Sequence, residues 1–445
     1  MMLRASKPAG KRFPSLNTVR RRRGRPADAP GRRAVEALVI GAGPSGLSAA
    51  AMLERCGVGT VVLERTDRLA APWHDHYDGL RLQSPNWMSF LPGLPFSRAD
   101  GTWVTRERLL DYLSRYVAHH GIEVRHGVEV KRVDRGTQGW SVATSDGEWQ
   151  VPVVVVATGY NRVPFVPDWP GLDGFTGQVL HASAFRNAAP FTGRDVLVVG
   201  TGNSGAEIAS IVSRGGVRRT RLAVRTAPHV VRRSLLGVPT LLGPAMVETL
   251  PPRLGDLLLG PVNRLTVGDL APYGLPAPRT GLYSQYRANG VTPVIDTGFL
   301  GALKAGLIEP VAAVDSFQDA QVILDDRSRV RPEVVIAATG YRRGLDALVG
   351  HLDVLDEDGD PVADGARPLP GAPGFYFMGY THPFSGNLRR VRRDAPRLAR
   401  EVADYLDRQA AAPSGVRRTQ RTISTCTGAP AARPAGTQGD SDAHT

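Results

Sequence analysis

Two glycine-rich segments constrain the fold of this 445-residue chain more than any other feature of its sequence. Residues 41–46 read Gly-Ala-Gly-Pro-Ser-Gly, and residues 200–205 read Gly-Thr-Gly-Asn-Ser-Gly. Each segment directly follows a short apolar run and opens a helical pattern. In a strand–turn–helix unit, such glycines permit the tight turn, let the backbone approach a pyrophosphate and allow close helix–strand packing. The sequence therefore predicts two dinucleotide-binding units.

The residues that follow the next apolar run differ between the two units. Glu64 ends the run at 60–63, 23 residues after Gly41, where a carboxylate binds a ribose diol. The run at 221–224 is followed instead by Arg225, which can pair with a 2′-phosphate that a carboxylate would repel. This difference predicts FAD at the first unit and NADPH at the second. An ordinary solvated surface position is the alternative for Arg225.

Apolar runs and helical patterns alternate along the chain. Continuous β-branched runs of four to eight residues suit strands buried on both faces of a parallel sheet. Helices are expected at 45–56 and at 105–120, each ending before a glycine. The alternation predicts an α/β fold. The expected strands are residues 36–40, 60–63, 152–156, 195–199, 221–224 and 333–337.

Residues 234–290 break this alternation because they are rich in Leu, Pro and Gly. Two interpretations are open for this segment. It forms either a pair of helices that cover a domain, or a lid or apolar access route to the active site.

Composition excludes several classes of protein. Most of the formal net charge of +13 comes from residues 1–34 and, to a lesser extent, 410–445, which we expect to be a disordered basic extension and a disordered tail. The nearly neutral remainder gives no reason to expect a nucleic-acid enzyme. Cys56 and Cys426 are the only cysteines, so no disulfide framework and no metal site are predicted. Without a secretory signal or a long apolar run, we expect a cytoplasmic protein with no membrane span.

A third pattern separates the branches of two-nucleotide flavoproteins. Phe175, Gly177, His181 and Phe185 form F-x-G-x₃-H-x₃-F, and Ala-Thr-Gly-Tyr occurs twice, at 157–160 and 338–341. The chain thus resembles class B flavin monooxygenases. Baeyer–Villiger members continue with Trp and then Pro or Asp, where this chain has Phe185 and Arg186, so it resembles flavin-containing monooxygenases instead. It is most similar to the YUCCA-type enzymes, through residues 91–96 (Leu-Pro-Gly-Leu-Pro-Phe), 272–275 (Pro-Tyr-Gly-Leu, followed by Pro278) and 292–296 (Thr-Pro-Val-Ile-Asp).

The resemblance implies two nested, doubly wound Rossmann-type domains. Residues 35–164 and 330–409 would form the FAD-binding domain, and residues 165–329 the inserted NADPH-binding domain with the apolar helical insertion at about 234–290. The two Ala-Thr-Gly segments would lie where the chain leaves and re-enters the FAD domain.

The resemblance also implies a reaction. NADPH reduces FAD, reduced flavin captures O₂ as a C4a-(hydro)peroxide, and this oxygenates a small organic substrate. That substrate is either an N or S nucleophile or a 2-keto acid such as an indole-3-pyruvate-like compound. The alternative function is an NADPH-dependent flavin oxidoreductase that inserts no oxygen. Oligomeric state and substrate identity are not predicted.

The site residues follow from these motifs. Gln83 stands where flavin-containing monooxygenases have an Asn near the flavin, while Asn86 lies three residues further on. Gln83 and His181 are therefore the catalytic candidates, although Gln83 is equally well interpreted as a buried polar loop residue. The predicted cofactor-binding residues are Gly41, Gly43, Pro44, Ser45, Gly46, Glu64, Arg65, Trp73, Thr158, Gly159, Gly200, Gly202, Asn203, Ser204, Gly205, Arg225, Thr339, Gly340 and Tyr341.

Overall fold

The computed structural model describes residues 34–411, except Gln138, Leu236, residues 241–249, His382 and Phe384. The predicted extension at 1–34 and tail at 410–445 lie almost entirely outside the described residues, as does part of the predicted insertion at 234–290. The last described helix continues to Ala411.

Two five-stranded parallel sheets organise the chain, which confirms the α/β prediction. The first sheet has the strand order Phe375–Phe377, Val153–Val156, Ala37–Ile40, Thr60–Glu64 and Val124–His126. The second has the order Glu309–Ala312, Arg219–Val224, Asp195–Val199, Val334–Ala337 and Gln178–His181. All six apolar runs that predicted strands form strands in these sheets.

Smaller sheets cover or connect the two large ones. Three-stranded antiparallel sheets consist of Val130–Gly136, Gly139–Thr144 and Gly147–Val151, and of Val314–Gln318, Gln321–Leu324 and Arg329–Val330. The two-stranded sheets pair Val230–Arg232 with Val294–Asp296, Ser234–Leu235 with Val238–Pro239, and Val163–Pro164 with Tyr341–Arg342.

Six described helices have eight or more residues. They are α1 (Pro44–Arg55), α2 (Arg106–His120), α3 (Asn203–Arg214), α4 (Pro252–Val267), α5 (Leu282–Asn289) and α6 (Asn387–Ala411). Shorter helices are Ala71–His74, Asn86–Ser89, Phe299–Lys304 and Asp346–Val349. Helix α2 matches its prediction: the Thr105 side chain accepts a hydrogen bond from the Arg108 N–H, and Gly121 ends the helix in a left-handed conformation. No described helix is long and apolar enough to cross a membrane.

Each large sheet is buried on both faces, which explains the continuous apolar runs. In the first sheet, Ala37 and Val39 face a core shared with α1 and α6, whereas Leu38 and Ile40 face a core shared with the antiparallel sheet at 130–151. The second sheet repeats this arrangement. Successive side chains of a strand point to opposite faces, so a strand between two layers needs apolar residues throughout.

Two observations bear on the expected domain boundaries. The strand Val334–Ala337 hydrogen-bonds with Asp195–Val199 in the second sheet, whereas the expected boundary at 330 places it with the first unit. The chain returns to the first sheet only after this strand. Helices α4 and α5 pack against each other, and Gly255 of α4 faces the buried Tyr283 ring of α5.

Candidate functional site

The first glycine segment forms the tight turn that its sequence predicts. Gly41 has φ +106°, and a Cβ on it would lie 2.7 Å from the Ala157 carbonyl oxygen. A Cβ on Gly46 would lie 1.9 Å from the Gly41 carbonyl oxygen, because α1 packs directly against the turn. A Cβ on Gly43 would meet no protein atom within 4 Å. The turn is therefore closed toward the protein and open at Gly43, on the side where a pyrophosphate would approach.

The second glycine segment has the same geometry. Gly200 has φ +112°, and its Cβ would lie 2.5 Å from the Ala338 carbonyl oxygen. A Cβ on Gly205 would lie 2.0 Å from the Gly200 carbonyl oxygen, whereas one on Gly202 would meet nothing within 4 Å. Both turns thus leave open the cradle that a dinucleotide phosphate needs, at the N-termini of α1 and α3. FAD and NADPH fit these two sites.

A cavity of about 740 Å³ lies where the two turns face each other. Loops that adjoin the strands of both large sheets form its walls, so residues far apart in sequence lie close together here. The predicted site residues that line it are Gly41, Gly43, Pro44, Ser45, Glu64, Arg65, Trp73, Gln83, Thr158, Gly159, Asn203, Ser204 and Tyr341.

Glu64 is held at the first turn by hydrogen bonds to its carboxylate. The Ala42 N–H donates to Oε2 at 2.9 Å, and the Thr66 hydroxyl donates to Oε1 at 2.9 Å. Arg65 and Arg162 lie on the same cavity wall. Burial, together with the positive charge of Arg65, lowers the pKa of Arg162. Two guanidinium groups so close together suit a phosphate, whose negative charge would offset their repulsion.

Gln83 connects the two units across the cavity. Its Nε2 donates to Asn203 Oδ1 at 3.1 Å, and Asn203 is the first residue of α3. The same Oδ1 accepts the Ile295 N–H, while Asn203 Nδ2 donates to the Pro293 carbonyl. Gln83 is thus a partly buried amide that lines the cavity and has a cross-unit partner.

Arg225 lies beside the second turn and is exposed, outside the cavity lining. It directly follows the strand Arg219–Val224, next to the strand that leads into Gly200. The Thr201 hydroxyl donates to the Thr226 carbonyl at 3.0 Å, which ties the segment at Arg225 to the glycine turn. In the strand register, Arg225 corresponds to Arg65 of the first unit and Glu64 corresponds to Val224, so the second unit has no carboxylate where the first has Glu64.

Comparison with known proteins identifies the family. The sequence profile of the pyridine nucleotide-disulphide oxidoreductase family matches residues 38–234. Indole-3-pyruvate monooxygenase YUCCA1 from Oryza sativa subsp. japonica is 34% identical over 372 residues, covering 82% of this chain and 91% of the relative. Probable indole-3-pyruvate monooxygenase YUCCA4 from Arabidopsis thaliana is 32% identical and covers 82% of this chain and 89% of the relative. The chain belongs to the YUCCA-type flavin monooxygenases.

Solved structures agree with this family. A flavin-containing monooxygenase from Stenotrophomonas maltophilia superposes with a TM-score of 0.65 at 25% identity, covering 84% of this chain and 99% of that one. A cyclohexanone monooxygenase, at 18% identity and a TM-score of 0.63, shares the fold. The YUCCA-type enzyme described here is an NADPH-dependent oxidoreductase that uses FAD, and its fold is of the Rossmann type.

In this YUCCA-type enzyme, His181 lies behind the cavity wall rather than on it. The ring is buried: Nδ1 accepts the Ser183 N–H at 3.1 Å, and Nε2 donates to the Gly340 carbonyl at 2.9 Å. Burial lowers the pKa of His181, which favours the neutral ring that this hydrogen-bond pattern requires. His181 therefore ties the segment at 175–185 to the second Ala-Thr-Gly turn, and its neighbours Ser183 and Ala184 reach the wall instead.

Thr339 and Gly340 also lie outside the lining and hold neighbouring segments in place. The Thr339 hydroxyl donates to the Phe165 carbonyl, and Gly340 accepts the bond from His181. The predicted residues that do not line the cavity are Gly46, His181, Gly200, Gly202, Gly205, Arg225, Thr339 and Gly340.

One buried pair was missed by the sequence analysis. Tyr77 lines the cavity, and its hydroxyl donates to Glu207 Oε2 on α3 at 2.8 Å. Burial raises the pKa values of both groups. An acidic residue two positions after Gly205, within the apolar part of α3, was the available sequence signal. Its tyrosine partner is 130 residues away in sequence, and no local pattern reveals such a contact.

Proposed function

We propose that this enzyme uses NADPH and O₂ to oxygenate a 2-oxo acid and remove its carboxyl group as CO₂, as the names of its relatives suggest for indole-3-pyruvate. The unit built on the first sheet would bind FAD, and the unit built on the second sheet would bind NADPH. Atoms and charge balance when one O₂, one NADPH and one proton convert one 2-oxo acid into the shortened acid, CO₂, water and NADP⁺.

The arrangement of the two open turns carries this proposal. Gly43, Pro44 and Ser45 from the first turn line the same cavity as Asn203 and Ser204 from the second. Two dinucleotides bound at these helix N-termini would extend into one shared space, which electron transfer between them requires. When bound, the flavin and the nicotinamide supply the hydride and oxygen chemistry.

The chain's own residues would bind, orient and enclose the reactants. The guanidinium groups of Arg65 and Arg162 would neutralise phosphate oxygens, and Glu64 would orient a ribose. Trp73, with Ile40 and Leu348 on the same cavity surface, would exclude water from the reacting atoms. The amide of Gln83 lies between the two units and would orient groups there while fixed by Asn203. Arg225 would pair with the 2′-phosphate of NADPH.

The decisive experiment is a product balance. Purified enzyme, NADPH and indole-3-pyruvate are incubated in air, and consumption of NADPH is compared with the formation of indole-3-acetate, CO₂ and H₂O₂. We expect one indole-3-acetate and one CO₂ per NADPH. H₂O₂ as the sole product would contradict oxygen insertion and support a flavin oxidoreductase. Oxygenation of a thioether or amine, without decarboxylation of the 2-oxo acid, would contradict the substrate class alone.

A variant of the second glycine turn tests whether NADPH use can be lost while the fold is retained. Gly202→Val places a Cβ in the open space of the second turn, where this atom meets no protein atom within 4 Å. We expect Gly202→Val to fold and retain FAD but to lose NADPH-dependent product formation.

A further inference from the structure

Hydrogen bonds at the start of α3 fix the orientation of the Asn203 side-chain amide. The Ile295 N–H, in the strand Val294–Asp296, donates to Asn203 Oδ1 at 2.8 Å. Asn203 Nδ2 in turn donates to the Pro293 carbonyl at 3.1 Å. A backbone N–H can only donate and a backbone carbonyl can only accept, so these two contacts leave the amide a single orientation.

The orientation of the Gln83 amide follows from that of Asn203. Asn203 Oδ1 carries no hydrogen, so the Gln83 atom that lies 3.1 Å from it has to be the donor Nε2. With the opposite orientation, two carbonyl oxygens would face each other in a partly buried place and both would lack a donor. The residue that begins α3 therefore determines which end of the Gln83 amide is which.

The other end of this amide is the carbonyl oxygen Oε1. No described residue donates a hydrogen bond to Gln83 Oε1, and this atom is not buried, so it is open to the cavity of about 740 Å³ that Gln83 lines. Nε2 keeps a further hydrogen, but its nitrogen is held at Asn203. A carbonyl oxygen accepts hydrogen bonds and is repelled by carboxylate and ketone oxygens. At the junction of the two units, the cavity wall thus presents an acceptor.

The ligand group that matches such an acceptor is an N–H donor. Under the proposed function, two organic molecules enter the cavity beside the bound FAD. The oxo and carboxylate groups of indole-3-pyruvate only accept hydrogen bonds, whereas its ring N–H donates. NADPH carries an N–H donor at its reacting end, in the carboxamide of the nicotinamide.

We propose that Gln83 is a specificity-determining residue whose Oε1 accepts a hydrogen bond from an N–H group of a molecule in the cavity, and that Asn203 is the positioning residue that keeps this oxygen turned toward the ligand. The inference rests on the proposed function for the identity of the two molecules. A ligand that lacks the N–H group leaves Oε1 without a partner, and this lowers its affinity. The oxo and carboxylate groups of the acid lie away from Gln83.

Two ligand pairs that differ at the N–H group test this inference by binding, without turnover. The first pair is indole-3-pyruvate and its benzothiophene analogue, in which sulfur replaces the ring N–H. The second pair is NADP⁺ and its 3-acetylpyridine analogue, in which a methyl group replaces the amide nitrogen. Isothermal titration of the full-length, oxidised, FAD-loaded enzyme gives each Kd. The ratio of the two Kd values within a pair is compared between variants, so that a general loss of affinity cancels.

Four variants separate the two roles. Gln83→Met keeps the length of the side chain but removes the acceptor. Asn203→Ala leaves Gln83 intact and frees its amide to turn, whereas Asn203→Asp keeps an acceptor oxygen for Nε2. Asn161→Ala is the matched control, because it removes another amide that lines the same cavity. Flavin content and Tm establish that each variant is folded.

We expect Gln83→Met to reduce the preference for the N–H ligand by about fivefold or more in at least one pair, as the loss of one hydrogen bond predicts. Asn203→Ala should reduce the same preference by more than about twofold. Asn203→Asp and Asn161→Ala should leave it within about twofold of wild type. A change in the first pair identifies the substrate as the donor, and a change in the second pair identifies the nicotinamide.

The inference is overturned if Gln83→Met leaves both preferences within about twofold of wild type, or if Asn161→Ala lowers them equally. The positioning role of Asn203 is overturned if Asn203→Ala retains the preference that Gln83→Met loses. The expected binding pattern without release of CO₂ in the product balance would contradict the proposed function and leave the inference intact. Release of CO₂ with unchanged preferences in Gln83→Met would contradict the inference alone.

Discussion

At the residue scale, single atoms decide what each turn can accept. Gly43 and Gly46 are three residues apart in the same motif, yet one faces open space and the other faces the Gly41 carbonyl. The open space at Gly43 is available to a ligand, whereas the missing side chain at Gly46 lets α1 pack against the turn. Likewise, the first unit has the Glu64 carboxylate where the second has the apolar Val224, and in the second unit the charged residue at the strand end is Arg225.

Gly43→Val should fold but lose FAD. The glycine has φ −82°, which valine tolerates, and the new Cβ meets no protein atom, so only the approaching pyrophosphate is obstructed. Flavin content per folded protein, from absorbance and circular dichroism, is the measurement. Gly46→Val is the contrast: its Cβ lies 1.9 Å from a backbone oxygen, so little folded protein is expected. A yellow, FAD-replete Gly43→Val enzyme would contradict the assignment of the first turn.

Arg225→Ala should weaken NADPH binding by about 1.5–3 kcal/mol, or roughly ten- to a hundredfold, because a charge-assisted pair with the 2′-phosphate is lost. NADH has no 2′-phosphate, so its KM should barely change. Arg225→Asp should have a larger effect through repulsion, and flavin content should be unchanged in both. Steady-state kinetics with the two nucleotides measure this. An equal rise in KM for NADH and NADPH would contradict binding of the 2′-phosphate and would show that Arg225 is an ordinary solvated surface residue.

At the scale of elements, the chain contains the same unit twice, and further segments connect the two units. Each unit consists of a buried strand, a glycine turn and a helix. Helices α4 and α5 form the distinctive addition: they pack together without lining the cavity, but Thr292 and Pro293, which follow α5, do line it. The position of α5 is fixed by Asp256 on α4, whose carboxylate accepts the N–H groups of Tyr283 at 2.6 Å and Ser284 at 3.3 Å.

Asp256→Ala should lower the free energy of unfolding by about 1–2 kcal/mol, since the first N–H groups of α5 lose their acceptor. Chemical denaturation followed by circular dichroism measures the change. Asp269→Ala is a suitable comparison, because its carboxylate accepts the Ala271 N–H at an exposed turn outside the helix pair. A loss for Asp269→Ala that equals or exceeds that for Asp256→Ala would contradict the role of this contact.

At the scale of the whole molecule, function depends on how the two sheets are held relative to each other. Hydrogen bonds that cross the junction include two partly buried side-chain pairs, from Tyr77 to Glu207 and from Gln83 to Asn203. An exposed one runs from Asn187 to Asp78. Both partly buried bonds end on α3, the helix that begins at the second glycine turn. The position of one nucleotide site relative to the other is therefore set by side chains at the cavity itself.

Tyr77→Phe should destabilise the protein by about 1–3 kcal/mol, because the buried Glu207 carboxylate loses a donor. The loss should be greater at pH 8 than at pH 5. Burial raises the pKa of Glu207 and the bond from Tyr77 opposes that shift, so the variant has a still higher pKa and loses more stability as Glu207 ionises. Thermal unfolding at the two pH values measures this.

The control for Tyr77→Phe is Asn187→Ala, which removes an exposed cross-unit bond. Its cost should be about 0.5 kcal/mol or less and should not depend on pH in this range. A pH-independent loss for Tyr77→Phe would show that Glu207 does not ionise in the folded protein between these pH values.

Six strands of the two large sheets, helices α1 and α2 and both glycine turns could be predicted from local pattern. The strand Val334–Ala337 could be predicted as a strand, but its sheet could not, because pairing is chosen by partners over a hundred residues away. The same limit applied to His181. Its motif identified the family branch, whereas only the contact with Gly340 placed its ring behind the cavity wall.

The sequence by itself determined the units: apolar runs dictate buried strands, glycines dictate the turns, and Glu64 and Arg225 set opposite charges, since each depends on neighbours within about 25 residues. The tertiary structure alone decided which units meet. The shared cavity and the Tyr77–Glu207 pair both arise from segments distant in sequence. Their contacts depend on packing geometry, which folding establishes only when both sheets are in place.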